Sequence, residues 1–148
     1  FIQIQTRRGS GPATFGRRIM NAPAKIAAVK SATFPLPKPI SVNSMYVNRK
    51  VKGRRGRMLS QRYMTWRNSA GWTLLEAGPA PKFTGQVRIA MLVSEKGVGL
   101  MDLDNTAKAY LDLFVHMQVI PDDNRKFVRA ISLEWTSAAQ GICEVTEL

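Results

Sequence analysis

Residues 101–124, MDLDNTAKAYLDLFVHMQVIPDDN, hold all five aspartates of this chain: Asp102, Asp104, Asp112, Asp122 and Asp123. The middle of the stretch has helical spacing. A helix is expected to begin at Asp104 or Asn105 and run to about Met117, with Leu103, Ala107, Tyr110, Leu111 and Phe114 as its apolar stripe. Residues 94–100, SEKGVGL, read as a flexible connector into it, and residues 118–124 as a loop out of it. Strands are expected on both sides. Val87, Ile89, Met91 and Val93 alternate, and with Phe83 they predict a long strand over 83–93. Phe127, Ile131, Leu133 and Trp135 predict another over 127–135, all four on one face. A turn over 137–141 then leads to a last strand over 142–146, where Cys143 should be a small buried hydrophobe. This order places the domain in the α+β class, with a small mixed β-sheet and two main helices.

The second helix lies upstream. Ser60 is a good N-cap for a helix over 61–77, and Gly78-Pro79 ends it. Tyr63, Trp66, Ala70, Thr73, Leu74 and Ala77 fall at helical spacing and should face the core, with Arg62 and Arg67 on other faces. Ahead of it, residues 49–57 carry six bases (Arg49, Lys50, Lys52, Arg54, Arg55 and Arg57) and two glycines, and read as an exposed basic loop or hairpin tip. Residues 32–36 suit an edge strand, because Pro35, Pro37 and Pro39 are poor in central ladders. Residues 41–44 are turn chemistry, and 45–48 return as extended chain. Residues 1–30 contain no acid and four arginines in two pairs, and read as a disordered basic extension ahead of a domain over 31–148. Met20 looks like a translation start, so residues 1–19 read as an upstream or vector-derived extension; an Arg-rich organelle presequence is the competing reading.

Charge is divided unevenly along the chain. Before Asp102 there are 18 Lys+Arg against Glu76 and Glu95, a net of +16. From Asp102 onward Lys108, Arg125, Lys126 and Arg129 face eight acids, a net of −4. The total of +12 and a pI near 10.6 point to a nucleic acid or another anionic surface as partner. A single cysteine excludes an intrachain disulfide and a zinc site built on several cysteines, and fits a reducing, cytoplasmic compartment. No run approaches the roughly 18 apolar residues that a spanning helix needs, so no membrane is expected.

An acid cluster inside a basic body suits a metal-dependent enzyme acting on a polyanion. Asp102 and Asp104 are two apart where extended chain enters a helix, so their side chains should share a side. Lys108 stands one helical turn past Asp104, and Asp112 one turn past Lys108. The loop could fold one of Asp122 and Asp123 back toward Asp102 and Asp104. Converging carboxylates repel unless a cation joins them, and Mg²⁺ or Mn²⁺ prefers such hard oxygen ligands. A neighbouring ammonium could stabilise charge at a scissile phosphate. Plainer readings stand beside these. Asp104 serves equally as a helix-capping acid, Lys108 and Asp112 as a solvated i,i+4 pair, and Asp122-Asp123 after Pro121 as an ordinary turn. An EF-hand is excluded, because Leu113 stands where its bidentate Glu belongs. His116, the only histidine, is expected as a capping or surface residue.

The segment DLDNTAKAYLDLFVHMQVIPDD resembles the signature of the RusA family of Holliday junction resolvases: DLDN-x-x-K-x-x-x-D followed by paired aspartates, which here come ten residues after Asp112. Upstream, a proline-rich turn with Ser and Asn over 39–43, a basic segment and a helix opening at Leu59-Ser60 are similar too, so the likeness covers residues 33–148. It implies a homodimeric, Mg²⁺-dependent endodeoxyribonuclease, with Mn²⁺ substituting. Such an enzyme binds four-way junction DNA by structure and makes paired symmetric nicks, leaving 5′-phosphate and 3′-hydroxyl ends, in DNA recombination and repair. By position it makes Asp102, Asp104 and Asp123 the metal-binding and catalytic carboxylates and Lys108 the catalytic lysine, with Asn105, Asp112 and Asp122 in support. Arg49, Lys50, Lys52, Arg54, Arg55 and Arg57 are the expected DNA-binding residues. Two departures stand out. Met101 replaces a basic residue common before the first aspartate, so a phosphate contact must come from elsewhere, such as Lys96 or the arginine-rich segment. Gln118-Val119-Ile120-Pro121 replaces a glycine-containing turn. The alternatives are a basic nucleic-acid-binding protein without catalysis, and a metal-dependent nuclease acting on other DNA or RNA structures.

Overall fold

The computed structural model describes residues 29–148; the expected extension lies outside them except for Val29 and Lys30, both exposed. Six strands and two helices form an α+β domain: β1 (Ser31–Leu36), β2 (Tyr46–Val51), β3 (Arg54–Leu59), α1 (Gln61–Glu76), β4 (Val87–Ser94), α2 (Asp104–His116), β5 (Val128–Thr136) and β6 (Gly141–Glu147). Four strands make a mixed sheet in the order β1-β6-β4-β5. The β4–β5 pair is parallel, and β6 runs antiparallel to both β4 and β1. Parallel neighbours need a long crossover, and the crossover between β4 and β5 carries α2. The acidic stretch therefore follows the carboxyl end of β4 on the way into α2.

One face of the sheet is covered. Val87, Ile89, Met91 and Val93 of β4 pack with Phe34 and Leu36 of β1, Cys143 and Val145 of β6, Ala70 and Leu74 of α1, and Tyr110, Leu113 and Phe114 of α2. Among the described residues nothing covers the other face, and Arg88, Leu92, Ile142 and Glu144 lie exposed on it. β1 is an edge strand, as its prolines required. Cys143 is fully buried and its thiol pKa is pushed well up by desolvation, so it is a core residue rather than a reactive one.

Ser60 caps α1, its hydroxyl accepting from the Tyr63 amide at 3.0 Å and donating to the Ser44 carbonyl. The cap thus also ties α1 to the short 3-10 turn Val42–Ser44. The helix ends at Glu76, so Ala77 caps its C-terminus and is exposed rather than facing the core. The basic segment is a hairpin, β2–β3, that pairs with no other strand among the described residues. Its turn is Lys52-Gly53, both with positive φ (49° and 76°), the geometry that suits a two-residue hairpin loop.

Three further expectations need correction. The strand expected over 83–93 starts only at Val87, because residues 83–86 bond elsewhere: the Phe83 amide donates to the Val119 carbonyl at 2.9 Å, and the Gly85 amide to Glu147 Oε1 at 2.9 Å. Phe127 does not share the face of Ile131, Leu133 and Trp135. An irregularity at Arg129 pairs Val87 with Val128 but Arg88 with Ala130, so Val128 takes the core-facing place and alternation resumes one residue later. The buried side of α2 is also wider than a stripe, since Thr106, Ala109 and Leu113 are fully buried as well. Ala109 packs with Ile40, Met45 and Tyr63 in a second small core at the foot of the hairpin.

Candidate active site

Asp104, Lys108 and Asp112 follow one another at four-residue spacing along α2 and so share one side of the helix. Asp104 lies in its first turn, where a carboxylate opposes the helix dipole, and His116 lies in its last. The start is held locally: the Thr106 hydroxyl donates to the Leu103 carbonyl at 2.7 Å, and Asn105 Nδ2 donates to Asp102 Oδ2 at 3.3 Å. Asp102 and Asp104 are exposed.

One turn further along, Lys108 Nζ donates to Asp112 Oδ1 at 2.7 Å and to Asp123 Oδ2 at 2.6 Å. The first contact is an ordinary helix-surface pair. The second joins residues 15 apart in sequence and fixes the loop after α2 against the helix. Burial alone would lower the Lys108 pKa, but its bonds to Asp112 and then Asp123 outweigh that and raise it. The hydrogen bond from Lys108 holds the Asp123 carboxyl below its ordinary range against the opposing effect of burial.

The loop reaches that position through a specific turn. Gln118 takes a left-handed conformation (φ 59°), its amide bonding the Val115 carbonyl at 3.0 Å, while the Val119 amide bonds the Phe114 carbonyl at 2.9 Å. This is a Schellman C-cap with glutamine where glycine is usual. Val119 and Ile120 are buried and anchor the returning chain. Asp122 then braces the loop, one oxygen accepting from the Asp123 amide at 2.7 Å and the other from Asn124 Nδ2.

The structure therefore gathers Lys108, Asp112 and Asp123 at one point, and couples Asp102 to Asn105 at another. It does not bring Asp102, Asp104 and Asp123 together: among the described residues no group of three or more His, Cys, Asp or Glu stands close enough to hold a metal ion. The donors are hard carboxylate oxygens that suit Mg²⁺, but the cation between the two converging carboxylates is the Lys108 ammonium.

The six bases of the hairpin are all exposed. Strand register puts Lys50 directly opposite Arg55, and Asn48 opposite Arg57, on one face. Arg57 stacks on the Tyr46 ring, 4.3 Å from its centroid. The hairpin's foot adjoins α2, where Ala109 touches the small core around Tyr63. The Tyr63 hydroxyl is buried without a partner among the described residues. Its pKa is raised to about 12, by burial first and then by the nearby Asp112 carboxylate. Helical spacing marked Tyr63 as core and gave no signal of this polar neighbour.

The chain matches no family model and no curated protein. Among the described residues, no helix is long and apolar enough to cross a membrane.

Proposed function

We propose that this chain is a metal-dependent endonuclease that binds four-way junction DNA as a homodimer and nicks it in pairs. The observation that carries the reading is the contact between Lys108 and Asp123, two positions assigned to one catalytic centre by resemblance and here within 2.6 Å across the Schellman turn. Asp102 and Asp104 lie at the head of the same helix, at the carboxyl end of β4. By resemblance Asp102, Asp104 and Asp123, which stand apart in this structure, would be the residues to hold Mg²⁺, and the ion would supply a bound water able to attack phosphorus and a counter-charge for the scissile phosphate. Lys108 keeps Asp123 on α2 and places an ammonium among the carboxylates; Asp122 stiffens the loop that carries Asp123. The hairpin offers its bases to DNA phosphates. A homodimer suits a substrate of near two-fold symmetry that needs two cuts.

The separation of Asp102 and Asp104 from Asp123 favours a second reading, a basic nucleic-acid-binding module in which Lys108, Asp112 and Asp123 are a structural ion triad. A cleavage assay separates the two. An end-labelled mobile four-way junction and a matched linear duplex are incubated with Mg²⁺ or EDTA, with wild type and Asp104→Asn. Ligatable paired nicks on the junction only, lost with EDTA and reduced about 10³-fold or more in the variant, are the expected result. Binding without cutting in Mg²⁺ or Mn²⁺ would establish the module instead, and equal cutting of the linear duplex would remove the junction specificity.

A further inference from the structure

A second charged hollow lies outside the acid cluster. The groove where the end of β1 meets α1 and the β5–β6 turn has a volume of about 320 Å³. Lys38, Lys96, Ser69, Thr73, Ser94 and Gln140 supply its polar lining, and no carboxylate residue contributes. Among the described residues the only ion pairs are those of Lys108, so neither groove lysine is neutralised by an acid.

Lys38 does not sit on a free loop. Three successive carbonyls around it are each held by a different element: Leu36 by the Gln140 side chain, Pro37 by the Tyr110 hydroxyl at 2.7 Å, and Lys38 by the Trp66 indole at 2.7 Å. Lys96 is placed from the other side. The Ser94 hydroxyl donates to the Ala138 carbonyl at 2.6 Å, and the Glu95 amide to the Thr136 carbonyl at 3.0 Å, which pins the start of the connector. Gly97 has φ 71°, and a Cβ there would lie 3.1 Å from Lys38 Nζ, so the Lys38 ammonium lies close over the connector backbone. The connector thus divides two hollows of opposite character. Ser94 and Lys96 line the basic groove, whereas Glu95 lines an adjoining hollow with Met101, Asp102 and Trp135.

Two lysines on fixed backbone, lining one groove with hydroxyls and no competing acid, form a site for a phosphodiester. We propose that Lys38 and Lys96 hold a backbone phosphate of the bound nucleic acid, on the opposite side of the connector from Asp102. The bound strand then crosses the connector between the two hollows. The assignment rests on the nucleic-acid reading above. It supplies the phosphate contact that Met101 cannot make immediately before Asp102.

The test is binding of a fluorescent four-way junction in EDTA, where nothing is cut, over a salt series from about 50 to 200 mM. Wild type is compared with Lys38→Gln/Lys96→Gln and with Arg88→Gln/Arg129→Gln. The latter removes the same charge at the opposite end of β4 and β5. Circular dichroism checks that each variant is folded. The groove variant should bind on the order of tenfold more weakly, with a log–log salt slope lower by about 0.9 for the one phosphate released, while the control stays close to wild type. A wild type that binds junctions alongside a groove variant of equal affinity and slope would overturn the subsite alone. Equal losses in both variants would also overturn it, because net charge would then explain the effect. A wild type that binds no DNA at any salt would overturn the nucleic-acid reading, and the subsite with it.

Discussion

The hairpin β2–β3 and the loop after α2 carry charge of opposite sign, and they hold it differently. On the hairpin, Lys50 faces Arg55 across the strands, with no acid opposite any of the six bases. Like charges in that position destabilise a sheet, and a two-stranded ribbon is marginal to begin with. Val47, Val51 and Met58 on its other face are exposed too, so burial adds little. The acidic loop is built the other way. Its aspartates bond a lysine, an asparagine side chain and the loop backbone, and Val119 and Ile120 anchor it in the core. Uncompensated charge that lowers stability is best explained by a partner that neutralises it, whereas compensated charge can be structural, catalytic or both.

Three experiments break or sharpen this contrast. The largest effect is expected on the hairpin. Lys50→Gln/Arg55→Gln/Arg57→Gln should weaken junction binding on the order of 10- to 100-fold and lower the salt slope by about 0.9 for each DNA phosphate left without its base. Its melting temperature should stay close to wild type, because the Lys50–Arg55 like-charge pair is gone but so is the Arg57 stack on Tyr46. A lower melting temperature with unchanged binding would make the ribbon structural.

A smaller effect is expected at the ion triad, and its sign follows from the pKa shifts. Asp123 is depressed in the folded chain, so its contribution is present above an ordinary carboxylate pKa of about 4 and is lost as pH falls through the folded value. Lys108 is raised, so its contribution is present below about 10.4 and is lost as pH rises through its folded value. The triad's own contribution should therefore be flat between these limits. Asp123→Asn should shallow the acid limb and cost under about 1 kcal/mol at neutral pH, because Lys108 is 46% exposed and water screens the pair. Urea midpoints across pH measure both; an acid limb identical to wild type would show that Asp123 is not what holds the loop.

The smallest effect is at the turn. Gln118 bears the strain of a left-handed backbone that glycine would avoid, so Gln118→Gly should raise stability by about 0.5–1 kcal/mol. Part of that gain is offset by losing the exposed bond from Lys82 Nζ to Gln118 Oε1. A denaturant midpoint at or below wild type would mean that the glutamine side chain, rather than the backbone geometry, secures the turn.

Local signals in the sequence located most elements. Ser60 marked the start of α1, alternation marked β4 and the Ile131–Trp135 part of β5, and the periodic apolar residues of α2 marked a helix that is observed over Asp104–His116. These are readable because capping and amphipathic periodicity act within a turn or two of chain. Of the candidate site, the i,i+4 pair of Lys108 and Asp112 was legible from spacing alone. Lys38 gave no signal, because a lysine among prolines looks solvated until Tyr110, Trp66 and Gln140 are seen to hold the carbonyls around it.

By itself, then, the sequence determined the α+β class, the two helices, the edge position of β1 and the separation of a basic body from an acidic stretch. Each of these follows from composition or from neighbours in the chain. Only the tertiary structure decided that β5 lies parallel to β4, that the irregularity at Arg129 moves Val128 into the place expected for Phe127, and that a glutamine at the left-handed turn brings Asp123 onto Lys108. Strand register and loop closure depend on contacts between residues far apart in sequence, and no local periodicity records them.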